Sequence, residues 1–156
     1  MPSFSLNSKD KLAQCDKNIQ LICNEAIAYT DFTIVTGHRT KAEQNRLYEQ
    51  GFSKLKWPNG KHNTDPSLAV DVAPYIKPYG IIFGGPEQVK RIMDLSHKKK
   101  GEVYSFVEKS YARLIGILEG VAISNGISIR VGLDWDHDFD TLDQTFHDLG
   151  HIELHG

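Results

Sequence analysis

Basic residues are not in excess in this chain. Eighteen Lys and Arg stand against twenty Asp and Glu, for a net charge of −2 over 156 residues. A nucleic-acid-binding module shows a clear basic surplus, so neither DNA nor RNA is expected as a partner. No apolar run approaches the ~18 residues of a membrane span, and no membrane insertion is expected. The opening MPSFSLNSKDKL has no basic segment followed by an apolar one, so no secretion signal is read there and the product is expected in the cytoplasm. Cysteine is scarce: Cys15 and Cys23 both fall in a stretch, residues 8–28, that reads as one helix. Eight residues of helix would hold them roughly 12 Å apart, beyond the ~7 Å between Cα atoms that a disulfide tolerates. They are expected to be small, reduced core residues. Repeats and low-complexity tracts are absent, and the length suits one domain spanning 1–156, expected to be a monomer.

What is present begins with periodicity. Leu12, Cys15, Ile19, Ile22 and Ala26 follow the 3-4 spacing of one helical face. Phe32–Thr36 is β-branched and aromatic and reads as a strand ended by Gly37. Thr40 to Glu43 then has the form of a capping box for a helix to about Glu49. Arg39 therefore stands where a strand hands over to a helix, a place where functional side chains gather; a structural salt bridge explains it equally well. A second strand is expected over Leu68–Ala73, closed by Pro74, and a short extended piece at Ile81–Phe83. Pro86 suits the first turn of a helix, and another helix is expected from about Val103 to Asn125, stopped by Asn125-Gly126. His97–Gly101 reads as a solvated basic linker between them. Strands are expected at Ile127–Leu133 and His151–Leu154. Helices interleaved with a few short strands define an α+β class, a small antiparallel sheet packed against several helices.

The stretch Gly60–Tyr75, GKHNTDPSLAVDVAPY, carries the chemistry. Asp71 interrupts an apolar strand, where an unpaired carboxylate is costly to bury. A metal ion shared with His62 would account for it. A catalytic zinc takes three protein ligands and keeps a fourth position for water. His62, Asp71 and His151 meet that need if two antiparallel strands bring Asp71 and His151 together. A rival reading takes His147 to His151 as an H-E-x-x-H variant, but that motif needs a helix, and Gly150 weakens one. The acidic loop after residue 133 offers a further possibility: Asp134, Asp136 and Asp138 follow the D-x-D-x-D start of a calcium loop. Phe139 replaces its glycine and Thr145 its terminal glutamate, so a solvated or hydrogen-bonded loop is the competing account.

FTIVTGHRT, the His62–Asp71 segment with its Ala-Val-Asp and Ala-Pro-Tyr, IRVGLDW and the terminal Gly-His-Ile-Glu-Leu together resemble a zinc peptidase family. It is that of the vancomycin-resistance-type D-alanyl-D-alanine peptidases and the phage L-alanyl-D-glutamate endopeptidases, with the phage endolysin branch nearest. The resemblance covers about Phe32 to Leu154 and implies the zinc D-alanyl-D-alanine peptidase/Hedgehog-like fold. It implies His62, Asp71 and His151 as zinc ligands, Asp148 as catalytic acid/base, and Arg39 as the arginine that steadies substrate or transition state. It further implies a peptidoglycan stem peptide as substrate, and accumulation in the host cytoplasm until a separate factor releases the enzyme to the wall. A D-alanyl-D-alanine carboxypeptidase and a non-catalytic, zinc-stabilised wall-binding module are the alternatives. Two positions depart from the family pattern: Gly60 stands where a serine is usual, and eight residues rather than six separate His62 from Asp71.

Overall fold

The computed structural model describes residues 1–135 and 148–156. The elements run α1 (Leu6–Leu12), α2 (Lys17–Ala26), β1 (Phe32–Thr36), α3 (Lys41–Glu49), a single 3-10 turn at Lys61–Asn63, β2 (Ala69–Ile76), β3 (Gly80–Ile81), α4 (Pro86–Ser96), α5 (Lys100–Ser124), β4 (Ile129–Val131) and β5 (His151–Leu154). The strands form one antiparallel sheet in the order β1-β2-β5-β4, with β3 added beside β2. The α+β expectation is borne out.

Strand alternation sorts the sheet into two chemistries. Val70 and Val72 of β2, Ile152 of β5, and Ile129 and Val131 of β4 join the main core with residues of α1, α2 and α5 such as Leu12, Ile19, Ile22, Leu114, Ile115 and Leu118. The residues between them, Asp71, His151, Glu153 and Arg130, take the opposite face. The carboxylate that looked misplaced within an apolar run thus follows the ordinary period-2 pattern. Its neighbours face the core and it does not.

Several boundaries differ from the sequence reading, each for a tertiary reason. The expected single helix over residues 8–28 is two. Between them Asp16 N donates to the Ser67 carbonyl (2.8 Å) and Ser67 N to that of Gln14 (2.9 Å), so the chain pairs with the loop before β2. Asp16 then caps α2 through its side chain on Asn18 N (2.8 Å). Cys15 therefore lies outside both helices, though Cys15 and Cys23 are buried free thiols as expected. The second strand continues through Pro74 to Ile76. Pro74 sits opposite Phe32, its carbonyl accepts from Ile82 N (2.8 Å), and Tyr75 N donates to Asp31 O (3.0 Å). A proline without an N–H is tolerated where the ladder asks it only to accept. Helix α5 begins at Lys100, so the basic linker is only the three residues His97–Lys99, with His97 turning the chain at φ 59°. β4 is shorter than expected because Gly132 already turns toward residue 134.

Candidate metal centre

Asp71 and His151 are register partners across the β2–β5 ladder. His62 reaches them from the 3-10 turn, which is held against the mouth of β1. Arg39 N donates to the His62 carbonyl (2.8 Å), and His62 Nδ1 lies 2.8 Å from the Gly37 carbonyl. A carbonyl oxygen can only accept, so Nδ1 carries the proton and the Nε2 lone pair faces the other way. The Gly-His-Arg turn thus grips His62 by both ring and backbone.

The three side chains meet at atoms that can each donate a lone pair, two imidazole nitrogens and one carboxylate oxygen. His62 Nε2 is 3.2 Å from Asp71 Oδ1, His151 Nδ1 is 3.1 Å from that same oxygen, and the two nitrogens are 3.3 Å apart. Among the described residues, this is the group of His, Cys, Asp and Glu side chains with ligand atoms close enough to share an ion. Electron pairs converging at this distance repel unless a cation lies between them. A tetrahedral ion with bonds of about 2.0–2.1 Å sets its ligand atoms roughly 3.3–3.4 Å apart. The donor set and its spacing therefore fit a zinc-like ion. Without metal, protons take that place. Burial opposes ionisation of Asp71, but the charges and hydrogen bonds of His62 and His151 outweigh it and hold the carboxyl far below the usual range. Burial likewise opposes a charged His151, yet its bonds to Asp71 and Glu153 carry its pKa up to about 9.

The lengthened His62–Asp71 loop does not disturb this geometry, because it is tied down along its course. Leu68 N donates to the Lys61 carbonyl (3.0 Å). Ser67, fully buried, donates its hydroxyl to the Ala69 carbonyl (2.7 Å). Ser67 is a brace for the start of β2. At Gly60 a Cβ would sit 2.8 Å from Asn63 Oδ1, the oxygen that accepts from Gly60 N (2.9 Å), so a side chain there would disturb the turn that presents His62.

Arg39 and Asp148 lie at the edges of this group. The Arg39 guanidinium donates to Asp71 Oδ2 (3.3 Å) and to Gln44 Oε1 (3.1 Å). The salt bridge given as the alternative account of Arg39 is present, and it is made to a member of the group itself. Asp148 shares with Arg39, His62 and His151 a cleft of about 470 Å³, also lined by Trp135, Arg130 and Glu153. Burial, then the Asp71 charge, push the Asp148 carboxyl above its ordinary pKa, against the pull of His151, His62 and Arg39. Its backbone is fastened by Asp148 N to Gly132 O (3.0 Å) and His151 N to Asp148 O (3.1 Å). A larger groove of about 1150 Å³, near Tyr75, Lys77 and Phe106, holds none of these residues.

Sequence reasoning missed four neighbours. Gln44, 1% exposed, accepts from Arg39 and from Asn63 Nδ2 (3.2 Å) while donating to Ser53 (2.9 Å) and the Leu55 carbonyl (2.6 Å). Glutamine on a polar helix reads as solvent-facing, so nothing in the sequence marks it. Glu153 and Arg130 had a signal, since strand alternation places Glu153 on the face of His151. The Trp135 ring lies 5.2 Å from that of His151, tilted by 36°. The helical H-E-x-x-H alternative is corrected: His151 opens a strand, which removes the shared helical face. His147, Asp136 and Asp138 lie outside the described residues. Asp134 is buried in the turn after β4, its N–H on the Val131 carbonyl (3.2 Å).

Fold and site together define an α+β protein built around a candidate mononuclear metal centre on one face of a small antiparallel sheet. Residues 2–106 match the sequence model of the family described as phage L-alanyl-D-glutamate peptidase, and the chain belongs to that family. It is 32% identical over 157 residues to the L-alanyl-D-glutamate peptidase of Escherichia phage T5, covering 97% of this chain and 96% of that one. Its fold is shared with the crystal structure of Serratia marcescens L-Ala D-Glu endopeptidase ChiX, with a TM-score of 0.66 at 18% identity over 98% of this chain and 90% of the other. The family match includes Arg39, His62 and Asp71, and the alignment to the phage T5 protein extends over nearly the whole chain. No helix among the described residues is long and apolar enough to cross a membrane.

Proposed function

We propose that this protein is a zinc-dependent endopeptidase that hydrolyses the L-alanyl–D-glutamyl bond of bacterial peptidoglycan stem peptides, acting as a phage endolysin. The observation that carries the reading is the convergence of the His62, Asp71 and His151 lone pairs, with a half-buried Asp148 lining the same cleft as both histidines, in a chain of the phage L-alanyl-D-glutamate peptidase family. Residues 1–156 act as one catalytic domain and as a monomer. The protein accumulates in the host cytoplasm and reaches the wall when a separate factor opens the membrane.

His62, Asp71 and His151 would hold the ion. Two imidazoles and one carboxylate favour zinc over the harder cations that prefer all-oxygen sites. When bound, the ion supplies a Lewis acid for the scissile carbonyl and acidifies a water molecule to near neutral pH. Asp148 takes the proton from the attacking water and returns it to the leaving amine. Arg39 orients Asp71 through Oδ2 and, as a fixed cation in the cleft, steadies the negative charge that grows on the carbonyl oxygen. A calcium ion on the loop of Asp134, Asp136 and Asp138 would act on stability, read as a calcium-dependent shift in Tm at constant zinc.

The test is Asp148→Asn, which keeps the side chain's size and removes the base. It is expected to retain a stoichiometric metal ion while losing about 10²–10⁴-fold in turnover on purified sacculi. Near-normal turnover would sink the assignment. Mass analysis of the released muropeptides identifies the bond: terminal D-alanine would instead mark a carboxypeptidase, and binding without any product a non-catalytic module.

A further inference from the structure

His151 uses both ring nitrogens. Its Nδ1 faces Asp71 and His62; its Nε2 lies 3.0 Å from Glu153 Oε1. Glu153 is 4% exposed, and a carboxylate so deep in the protein is costly unless paired on both sides. It is so paired, because its Oε2 accepts from Arg130 Nη2 at 3.0 Å. We propose that Glu153, clamped by Arg130, is a positioning residue for the metal centre: it holds His151 as the tautomer and in the ring orientation that present the Nδ1 lone pair to the ion. The inference rests on the metal reading above and adds to it a determinant of metal affinity.

The sheet explains how the relay is built. His151 and Glu153 are two apart on β5 and so share a face. Arg130 is the register partner of Glu153 on β4, placing guanidinium and carboxylate side by side across one ladder. On the other flank, Ala69 of β2 is opposite Glu153 and offers only a methyl group, so no polar side chain there competes for its oxygens. Trp135 closes the remaining side, its ring 5.4 Å from the Arg130 guanidinium and 5.2 Å from the His151 ring. A carboxylate accepts and does not donate, so Nε2 carries the proton and Nδ1 is left bare. His62 reaches the mirror arrangement with a backbone carbonyl on Nδ1 and Nε2 bare. Glu153 is not itself a fourth ligand, because its oxygens lie on the Nε2 side of the ring, away from the three converging atoms.

A partner of this kind fixes the imidazole and raises its basicity, and its removal typically weakens metal binding by about 10–100-fold. The experiment measures zinc affinity by competition with a chromophoric chelator for wild type, Glu153→Ala, Glu153→Gln and Arg130→Met, alongside the visible spectrum of each cobalt-substituted protein. Urea midpoints in excess chelator report folding separately. Glu153→Ala is expected to lose about 10–100-fold in zinc affinity and to shift the cobalt bands. Glu153→Gln, which keeps an oxygen for Nε2–H, should recover most of that loss. Arg130→Met should fall between them. If Glu153→Ala lowers the urea midpoint but binds zinc like wild type with an unchanged cobalt spectrum, Glu153 only supports the fold and the inference is overturned. Should that variant not fold, Arg130→Met decides: wild-type affinity and spectrum there would equally overturn it. A wild-type chain that binds no divalent ion would instead remove the metal reading itself.

Discussion

Replacing Gly150 by alanine tests whether the centre depends on the close approach of β2 and β5. A Cβ at residue 150 would stand 2.1 Å from the Val72 carbonyl oxygen and 3.3 Å from the Tyr111 ring. Contacts of this kind do not fall below 3.0 Å, so the strands must part by about 1 Å at this point, and the atom struck is backbone, which cannot swing aside. Val72 N donates to the Gly150 carbonyl at 2.9 Å, so the bond that closes the ladder next to Asp71 and His151 is lost in the same movement. Overpacking costs about 1–3 kcal/mol and the hydrogen bond about 1 more, giving a loss of roughly 2–4 kcal/mol. The 3.1 Å between Asp71 Oδ1 and His151 Nδ1 would open toward roughly 4 Å, well past the ~0.2 Å that a metal site tolerates. Urea denaturation at fixed pH gives the first quantity, and chelator competition gives the second. A G150A protein within about 0.5 kcal/mol of wild type and with unchanged zinc affinity would refute the reasoning, since surface substitutions alone produce changes that small.

Two further outcomes follow from the same structure. Gly116 and Gly120 lie inside α5 with nothing within 4 Å of an added Cβ, so alanine at each should stabilise the protein by up to about 1 kcal/mol, read as a rise in the urea midpoint. Metal-free protein should show a specific pH dependence. His151 has its folded pKa raised from 6.5 to about 9, so its contribution is fully present below pH 6.5 and is lost as pH rises through 9, an effect on the order of 3 kcal/mol at most. With zinc bound, the ring carries no such proton and this loss should vanish. Urea midpoints at pH 6 and pH 9.5, with chelator and with zinc, separate the two cases, and identical pH trends would contradict the account.

How far the site could be read from the sequence depends on how local each signal is. Asp71 within Leu-Ala-Val-Asp-Val-Ala is conspicuous because burial of a carboxylate is costly, and the strand period then places it opposite Val70 and Val72. The Thr40 cap on Glu43 N, Pro86 at the first turn of α4 and Asn125-Gly126 after α5 are set by neighbours within four residues, and all are legible. The break at Cys15 is not. Asp16 can cap a helix, but the choice to stop α1 rather than run on is made by the backbone of Ser67, some fifty residues away. Gln44 and Ser67 are silent for the same reason, since short polar side chains become buried hinges of a network only when distant segments surround them.

The amino-acid sequence by itself determined the alternation that turns Asp71, His151, Glu153 and Arg130 to one face, and the glycines at 132 and 150 that allow backbones to touch. A Cβ on Gly132 would lie 2.2 Å from the Asp148 carbonyl, so that residue type was already required before any contact existed. Only the tertiary structure decided register. The pairing of Asp71 with His151 could have slipped by one residue on hydrogen bonding alone, which would have turned every β5 side chain to the wrong face. What prevents it is Ile152 seeking the core between Val70 and Val131. The hydrophobic demand of one isoleucine thus sets the distance between two ligands.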